Sequence, residues 1–311
     1  MNFAAKRSIF LRGTPGTLLN MLIIKVFYFM NVSNLLVKAL TIAEIVFISN
    51  RNKLLTSNIF YILHAPGMKI FTTLQIGEYH INNCEDYLLT AEIGKNKILC
   101  AVMDGCTMGT DSYFVATLTG KILRKIAKEY GFLEFAEKQQ KGIAELLKMV
   151  LKNLFENLRD FKNQLQLERE EVLSTLLLAI VDTYNKDVEF ICIGDGLICI
   201  DDVLFEFEQG DRPDYFGYHL AEDFESWYVS QTQKISRNEI SNFSLATDGI
   251  FTFQKFDTAV YNEPKDVLDF LLKDEEGKDN LNMLNKKMIE IKRNWGLKPT
   301  DDLAIVRVII D

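Results

Sequence analysis

Three apolar runs in this chain end in an acidic residue beside glycine: Ala101-Val102-Met103-Asp104-Gly105, Ile191-Cys192-Ile193-Gly194-Asp195-Gly196 and Leu245-Ala246-Thr247-Asp248-Gly249. Asp301-Asp302 precedes a fourth run, and Glu85-Asp86 stands just before a fifth, residues 87–93. Singly, each acid reads as a turn residue, since Asp-Gly is a common turn pair. Together they pose an electrostatic problem, because a sheet-based core brings strand ends to one rim, where gathered carboxylates repel. A divalent cation resolves that repulsion. A hard oxygen set without histidine or thiolate selects Mg²⁺ or Mn²⁺ over Zn²⁺, and glycine beside the acid lets a backbone carbonyl or a phosphate come close. Two such ions about 3.5–4 Å apart clamp a phosphoryl group for in-line attack. The chemistry indicated is phosphate-ester hydrolysis.

The elements that must position these acids follow from periodicity. Alternating or continuous apolar runs at 69–75, 87–93 and 98–103 predict strands, and helical patterns follow at 112–130 and 141–165. In the second helix Ile143, Leu146, Leu147, Val150, Leu151, Leu154 and Leu158 make a core-facing stripe. Strands return at 173–181, 188–193 and 197–200, joined by the turn signals Tyr184-Asn185-Lys186 and Gly194-Asp195-Gly196. The acidic stretch 209–242 reads as loop with some strand. A strand at 243–246, helices at 264–273 and 280–295 and a last strand at 303–310 complete the chain. Segregated blocks of strands and helices, without an internal repeat, predict a layered α+β architecture.

The 311 residues are 48% hydrophobic and 25% charged, which excludes disorder and low complexity. With a formal charge of −8 and no block of five Lys/Arg, the chain lacks the footprint of a nucleic-acid binder. Cys84, Cys100, Cys106, Cys192 and Cys199 form an odd set without a C-x-x-C pair, so they read as free thiols in a reducing compartment. Charge is uneven: residues 1–67 carry seven bases against Glu44, net +6, which leaves −14 on residues 68–311. This boundary at Met68 divides an apolar, basic N-terminal extension from the chemistry-bearing part. The extension has no uncharged apolar run of about 18 residues, the length a membrane span asks for, and it fits a signal peptide poorly. Three readings of it stand open: an upstream mis-start with translation beginning at Met68, a membrane-associated helical extension, or an ordinary helical lobe.

Read in order, Gly77-Glu78-Tyr79-His80 with Cys84-Glu85-Asp86, Asp104-Gly105-Cys106-Thr107-Met108-Gly109, Leu173-Ser174-Thr175, Gly194-Asp195-Gly196, Ala246-Thr247-Asp248-Gly249 and Thr300-Asp301-Asp302-Leu303-Ala304-Ile305-Val306 resemble the metal-dependent protein serine/threonine phosphatases of the 2C type, in their bacterial branch. The pieces cover essentially all of residues 68–311. The resemblance implies a four-layer α-β-β-α sandwich of two antiparallel sheets, with the metals between the sheets at one end. It implies two Mg²⁺ or Mn²⁺ ions bridged by Asp104, one completed by Asp248 and Asp301, the other served by Glu85 and the Gly105 carbonyl. Asp86 then holds water beside the metals, and Asp195 matches the position of a third, weaker metal. The implied nucleophile is water, without a serine or cysteine intermediate. The implied substrate is a phosphorylated protein, in opposition to a Ser/Thr kinase, in the cytoplasm, with membrane association only if residues 1–67 belong to the protein.

Three positions depart from the family pattern. The arginine that ordinarily precedes the Glu-Asp pair is missing, and His80 occupies its neighbourhood as a weaker phosphate clamp than a guanidinium. Without the resemblance, His80 reads as a hydrogen-bonded surface residue. Cys106 stands where many members place a histidine acid, and by itself reads as a small packing residue because no Lys or Arg flanks it. Thr252 stands where several members carry a further Asp. Arg212 reads as pairing with Asp211 or Asp214. His64 and His219 have no partnering motif. The departures leave two functions open: a working phosphatase, or a phosphatase-like module that holds a phosphoprotein without turning it over.

Overall fold

Period-two alternation of apolar side chains builds the centre of the molecule. In the computed structural model, which describes residues 67–210, 213–257 and 265–310, strand β3 (Lys97–Met103) sends Ile98, Cys100 and Val102 to one side and Leu99, Ala101 and Met103 to the other. Both sets are buried, so β3 lies inside a layered core rather than on its surface. Its sheet has the order β2-β3-β4-β5-β8, with β2 (Tyr87–Glu92), β4 (Leu176–Asp182), β5 (Asp187–Ile193) and β8 (Lys234–Arg237). A second sheet, β1-β12-β9-β6-β7, combines β1 (Met68–Gln75), β6 (Gly196–Ile200), β7 (Val203–Phe207), β9 (Asn242–Ala246) and β12 (Leu303–Ile310). Every pairing in both sheets is antiparallel.

The sheets pack face to face through Val102, Leu177, Phe190 and Cys192 on one side and Ile198, Phe243, Leu245 and Val306 on the other. Helices α1 (Ser112–Glu137) and α2 (Ile143–Leu165) cover the outer face of the first sheet, burying Leu123, Leu147, Leu151 and Leu154 against Leu99, Leu178 and Ile191. Helices α4 (Val267–Leu272) and α5 (Met283–Glu290), with the π-turn 291–295 after α5, cover the second through Phe270, Leu284, Met288 and Trp295. The result is the expected four-layer α-β-β-α sandwich. A short ladder of β10 (Phe253–Lys255) with β11 (Leu297–Pro299) lies beside it.

Four local expectations change. Helix α1 runs past Gly131 to Glu137, because Glu134 turns inward to accept the Lys95 N–H at 2.6 Å and to pair with Lys97 at 3.7 Å. Residues 173–175 stand outside the ladder as the first support of the acidic end, described below, and β4 begins only at Leu176. Strand β7 went unassigned because its alternation is weak; it is a partly exposed edge strand. The stretch 209–242 holds, besides β8, the helix α3 (Phe224–Ser230), whose Phe224 and Trp227 stack with Phe155 of α2 and with Phe216. The readings of residues 1–66, including His64, and of Asp211 and Arg212 fall outside the described residues. Among the described residues no helix is long and apolar enough to cross a membrane.

Candidate metal centre

Strand register brings the acids to one end of the sandwich. Tyr87 pairs with Met103, so the next position of each strand sets Asp86 beside Asp104. Leu197 pairs with Ala246 in the other sheet, and continuing two positions sets Asp195 beside Asp248. Asp301 and Asp302 enter at the start of β12, whose Ile305 also pairs with Ala246. Thus β2, β3, β6, β9 and β12 all turn at the same rim.

The backbone there is held by a network of small polar side chains. The Asp104 N–H donates to Thr175 Oγ1 at 3.0 Å, and the Thr175 N–H returns to the Asp104 carbonyl at 2.9 Å. Thr247 Oγ1 donates to Asp86 Oδ2 at 2.6 Å and accepts the Ala304 N–H at 2.9 Å. Ser112, the first residue of α1, donates to Glu85 Oε1 at 2.5 Å. The carboxylate of Asp302 accepts the Gly77 N–H at 2.7 Å and the Glu85 N–H at 2.5 Å, tying the loop 76–86 to the start of β12. Asp301 accepts the Asp302 N–H at 2.8 Å. Close backbone approach makes glycine obligatory at 77, 105 and 249: a Cβ would lie 2.3 Å from the Asp301 carbonyl carbon, 2.2 Å from the Ser112 carbonyl oxygen and 1.8 Å from that of Asp302, respectively.

The electrostatics are those of crowded carboxylates. Burial, then the neighbouring Asp86, Asp248 and Asp301, push Asp104 well above the ordinary carboxylate range. Burial raises Asp86 to about 8, with Asp302 and Asp248 adding to it and the Thr247 hydroxyl opposing. Burial, Asp301 and Asp195 raise Asp248 to about 6. Asp195 is raised too, by burial and by Glu208. Asp86 Oδ1 and Asp195 Oδ1 are buried acceptors with no hydrogen-bond donor among the described residues. Oxygen acceptors in excess of donors, in a pocket of mutually repelling carboxylates, suit a hard divalent cation. Among the described residues no three of these side chains already stand in a coordinating arrangement; Glu85 is turned to Ser112 and Asp86 to Thr247.

His80 is half-buried rather than on the surface. Its Nδ1 lies 2.8 Å from Asp302 Oδ2 and its Nε2 lies 3.6 Å from Asp301 Oδ1. Burial opposes its charge, but Asp302, Glu85 and Asp301 outweigh it and raise the imidazole pKa. Cys106 is buried against Leu173 and Tyr215, in the packing role. His219 is held between Asp214 and Glu222, each at 2.8 Å, on the segment that carries Tyr215. Thr252, at the position of the missing Asp, accepts the N–H groups of Thr300 and Asp301.

Glu85, Asp86, Asp104, Gly105, Asp248 and Asp301 are therefore neighbours, Asp195 stands beside Asp248, and His80 joins them through Asp301 and Asp302. Sequence reasoning passed over Ser112, Thr175, Thr247 and Asp302 as functional residues. The last three sit inside motifs already quoted, so adjacency to an acid was the available signal. Tyr215, in irregular chain, gave none.

The family model described as protein phosphatase 2C matches residues 76–286, a span that holds four of the five strands of the acidic rim and stops before Asp301 and β12. No curated protein sequence matches. Among solved structures, the catalytic domain of the serine/threonine protein phosphatase PstP in complex with two manganese ions is 12% identical, with a TM-score of 0.50, over 79% of this chain and 99% of that one. Stp1, a serine/threonine phosphatase from Staphylococcus aureus, is 13% identical with a TM-score of 0.48, over 78% and 95%. The PP2C phosphatase domain with a regulatory fragment of SpoIIE from Bacillus subtilis is 18% identical with a TM-score of 0.48, over 78% and 63%. At 12% identity the likeness to PstP speaks for the fold alone, and the family model speaks for descent: the chain belongs to the protein phosphatase 2C family.

Proposed function

We propose that residues 68–311 form a Mg²⁺- or Mn²⁺-dependent phosphatase domain acting on phosphoserine or phosphothreonine in proteins, in opposition to a Ser/Thr kinase. The observation that carries this is the convergence of Asp86, Asp104, Asp248 and Asp301 on one rim, where neighbouring charge as well as burial raises the pKa values of Asp86, Asp104 and Asp248. Asp104, Asp248 and Asp301 would hold one ion, and Asp104 with Glu85 and the Gly105 carbonyl a second, with Asp195 available to a third. When bound, such ions supply positive charge to the phosphoryl oxygens and acidify an attacking water. Loading them asks for rotation of the Glu85 side chain away from Ser112, with the strands in place.

The chain's own residues do the rest. Asp86, fixed at Oδ2 by Thr247, presents Oδ1 as the acceptor that orients a water and holds its proton. Asp302 keeps the loop bearing Glu85 against the start of β12, so that acids from both sheets stay in register. His80, held by Asp302 and Asp301, would bring an imidazolium to the edge of the acidic rim. Hydrolysis of p-nitrophenyl phosphate by the full chain with Mn²⁺, abolished by EDTA and by Asp104→Asn, is the expected result; no metal-dependent rate would refute it.

A second reading rests on a specific observation. His80 is committed to two carboxylates and Cys106 is packed under Tyr215, so neither is free to clamp phosphate or to protonate a leaving group. A phosphoprotein-binding module follows if calorimetry finds Mn²⁺ binding with negligible turnover.

A further inference from the structure

Several of the loops that carry the acids have a second property. Three of them present large apolar side chains to solvent: Tyr79 (68% exposed) and Ile81 (90%) flank His80, Met108 (66%) follows Asp104, and Phe251 (47%) follows Asp248. Tyr113 (37%) stands next to Ser112 at the start of α1. Single exposed hydrophobes are ordinary, but recurrence on three loops and a helix start around one centre is not. The turns at the opposite end of the sandwich, residues 94–96, 183–186, 201–202 and 238–241, are built mostly from Gly, Asn, Asp, Lys, Glu and Ser, with Tyr184 exposed among them.

These side chains stand on fixed backbone. The Glu78 and Tyr79 N–H groups donate to the carbonyls of Pro299 and Thr300 at 3.0 and 3.1 Å, and the His80 N–H donates to Gly77 at 3.1 Å. Gly109 donates to Cys106 at 3.1 Å around Met108, and Ile250 donates to Thr247 at 3.2 Å before Phe251. Preorganised apolar groups lose little freedom on binding. Meanwhile the loops 76–86, 104–111, 247–252 and 300–302 contain no Lys or Arg, and their one histidine, His80, is engaged by Asp302 and Asp301, so acidic residues of a substrate find little cationic charge there. A dianionic phosphate suits the centre once it is charged with divalent ions, and whatever flanks the phosphate meets hydrocarbon.

Resting on the phosphatase-family reading of the centre, we infer that this rim selects phosphorylated segments with apolar side chains next to the phosphoresidue. The occupant is an extended peptide stretch, its phosphate over the acids and its apolar neighbours on Tyr79, Ile81, Met108 and Phe251. Acidic or strongly polar flanks gain nothing there and lose hydration.

The test uses the full chain with Mn²⁺ and two fluorescent peptides of equal charge that carry a phosphonate mimic of phosphoserine, one flanked by Leu, Ile and Phe, the other by Ser and Asn. Fluorescence anisotropy is expected to show about tenfold tighter binding of the apolar-flanked peptide. The ratio is expected to fall towards one in Tyr79→Ser/Ile81→Ser and, separately, in Met108→Ser/Phe251→Ser, two variants whose positions lie on different loops. A ratio near one in the unaltered chain, or a ratio that both variants preserve, overturns the inference. If the same sample hydrolyses p-nitrophenyl phosphate with Mn²⁺, the phosphatase reading survives that outcome; if it neither hydrolyses nor binds either peptide, both fall.

Discussion

Thr247 Oγ1 lies 2.6 Å from Asp86 Oδ2, a bond that joins the end of β9 in one sheet to the start of β2 in the other. The same hydroxyl oxygen accepts the Ala304 N–H at 2.9 Å, so one side chain spans both sheets at the acidic rim. Thr247→Val keeps the shape and removes the hydroxyl, leaving the Ala304 donor and the Asp86 carboxylate without it. Unfolding in urea is expected to show a loss of about 1–3 kcal/mol. Thr247→Ser is expected to retain most of the stability, and equal losses in the two variants would show that the hydroxyl does not matter.

Crowded carboxylates make stability depend on pH in a definite direction. A carboxyl group whose pKa is higher in the folded chain holds a proton there that the unfolded chain has released, so the fold weakens as pH rises between the two values. For Asp248 that window runs from the ordinary carboxylate range to about 6, and for Asp86 to about 8. His80, also raised, loses its ion pairing as pH climbs through its folded pKa and acts in the same sense. In EDTA the unfolding free energy is therefore expected to fall from pH 4.5 to pH 8, by up to about 1.4 kcal/mol per pH unit for each group inside its window, and the thermal midpoint with it. Mn²⁺ is expected to raise the midpoint more at pH 8 than at pH 5, since ligands must be deprotonated to bind it. A midpoint that rises with pH in EDTA would contradict the crowding of Asp86, Asp104 and Asp248.

Much of this rim was legible in the sequence because acid-then-glycine at a strand end is a local pattern. The register of β2 with β3, and of β6 with β9, then brought distant copies of it together. The groups that hold the acids were less legible. Thr175 and Ser112 act through single hydrogen bonds whose partners are 71 and 27 residues away, and neither residue type signals such a role. Helix α1 continues beyond the pattern at 112–130 because the inward pull of Glu134 on Lys95 and Lys97 outweighs the weak helix preference of Gly131. Helix α3 lies in a stretch without clear periodicity, and it forms because Phe224 and Trp227 find Phe155 and Phe216 in three dimensions.

Two glycines test the distinction between conformational freedom and close approach. Gly249 has no left-handed backbone requirement, yet its Cβ would meet the Asp302 carbonyl oxygen at 1.8 Å, a backbone atom that can yield only if β12 moves. Gly249→Ala is expected to cost about 3 kcal/mol or more, and to reduce Mn²⁺ affinity, because the shift separates Asp248 from Asp301. Gly131 sits within α1, and the only neighbour of its Cβ is the Gly94 nitrogen at 3.8 Å. Gly131→Ala is expected to stabilise by about 0.5–1 kcal/mol through helix propensity and reduced unfolded-state entropy. Denaturant midpoints of the two variants should move in opposite directions, and a shared sign would refute the steric argument at one of them.

The helical layer opposite α1 and α2 depends on a buried cation. Arg307 of β12 is fully buried on the face shared with Leu303, Ile305 and Ile309, an unusual place for a guanidinium. It donates to the carbonyls of Leu271 and Asp274 at 3.2 and 2.8 Å and to that of Lys273 at 2.7 Å, so it closes the C-terminal end of α4, where helix carbonyls lack partners. Lys287 of α5 reaches the same end, donating to Phe270 and Asp274 at 2.7 and 2.5 Å. Arg307→Leu strands several buried acceptors and is expected to cost about 3 kcal/mol. Lys287→Met is expected to cost less, because Arg307 still serves Asp274. In the double variant the losses are expected to exceed their sum, since the Asp274 carbonyl loses both donors. A double-mutant cycle in urea that gives simple additivity would mean the two cations act independently.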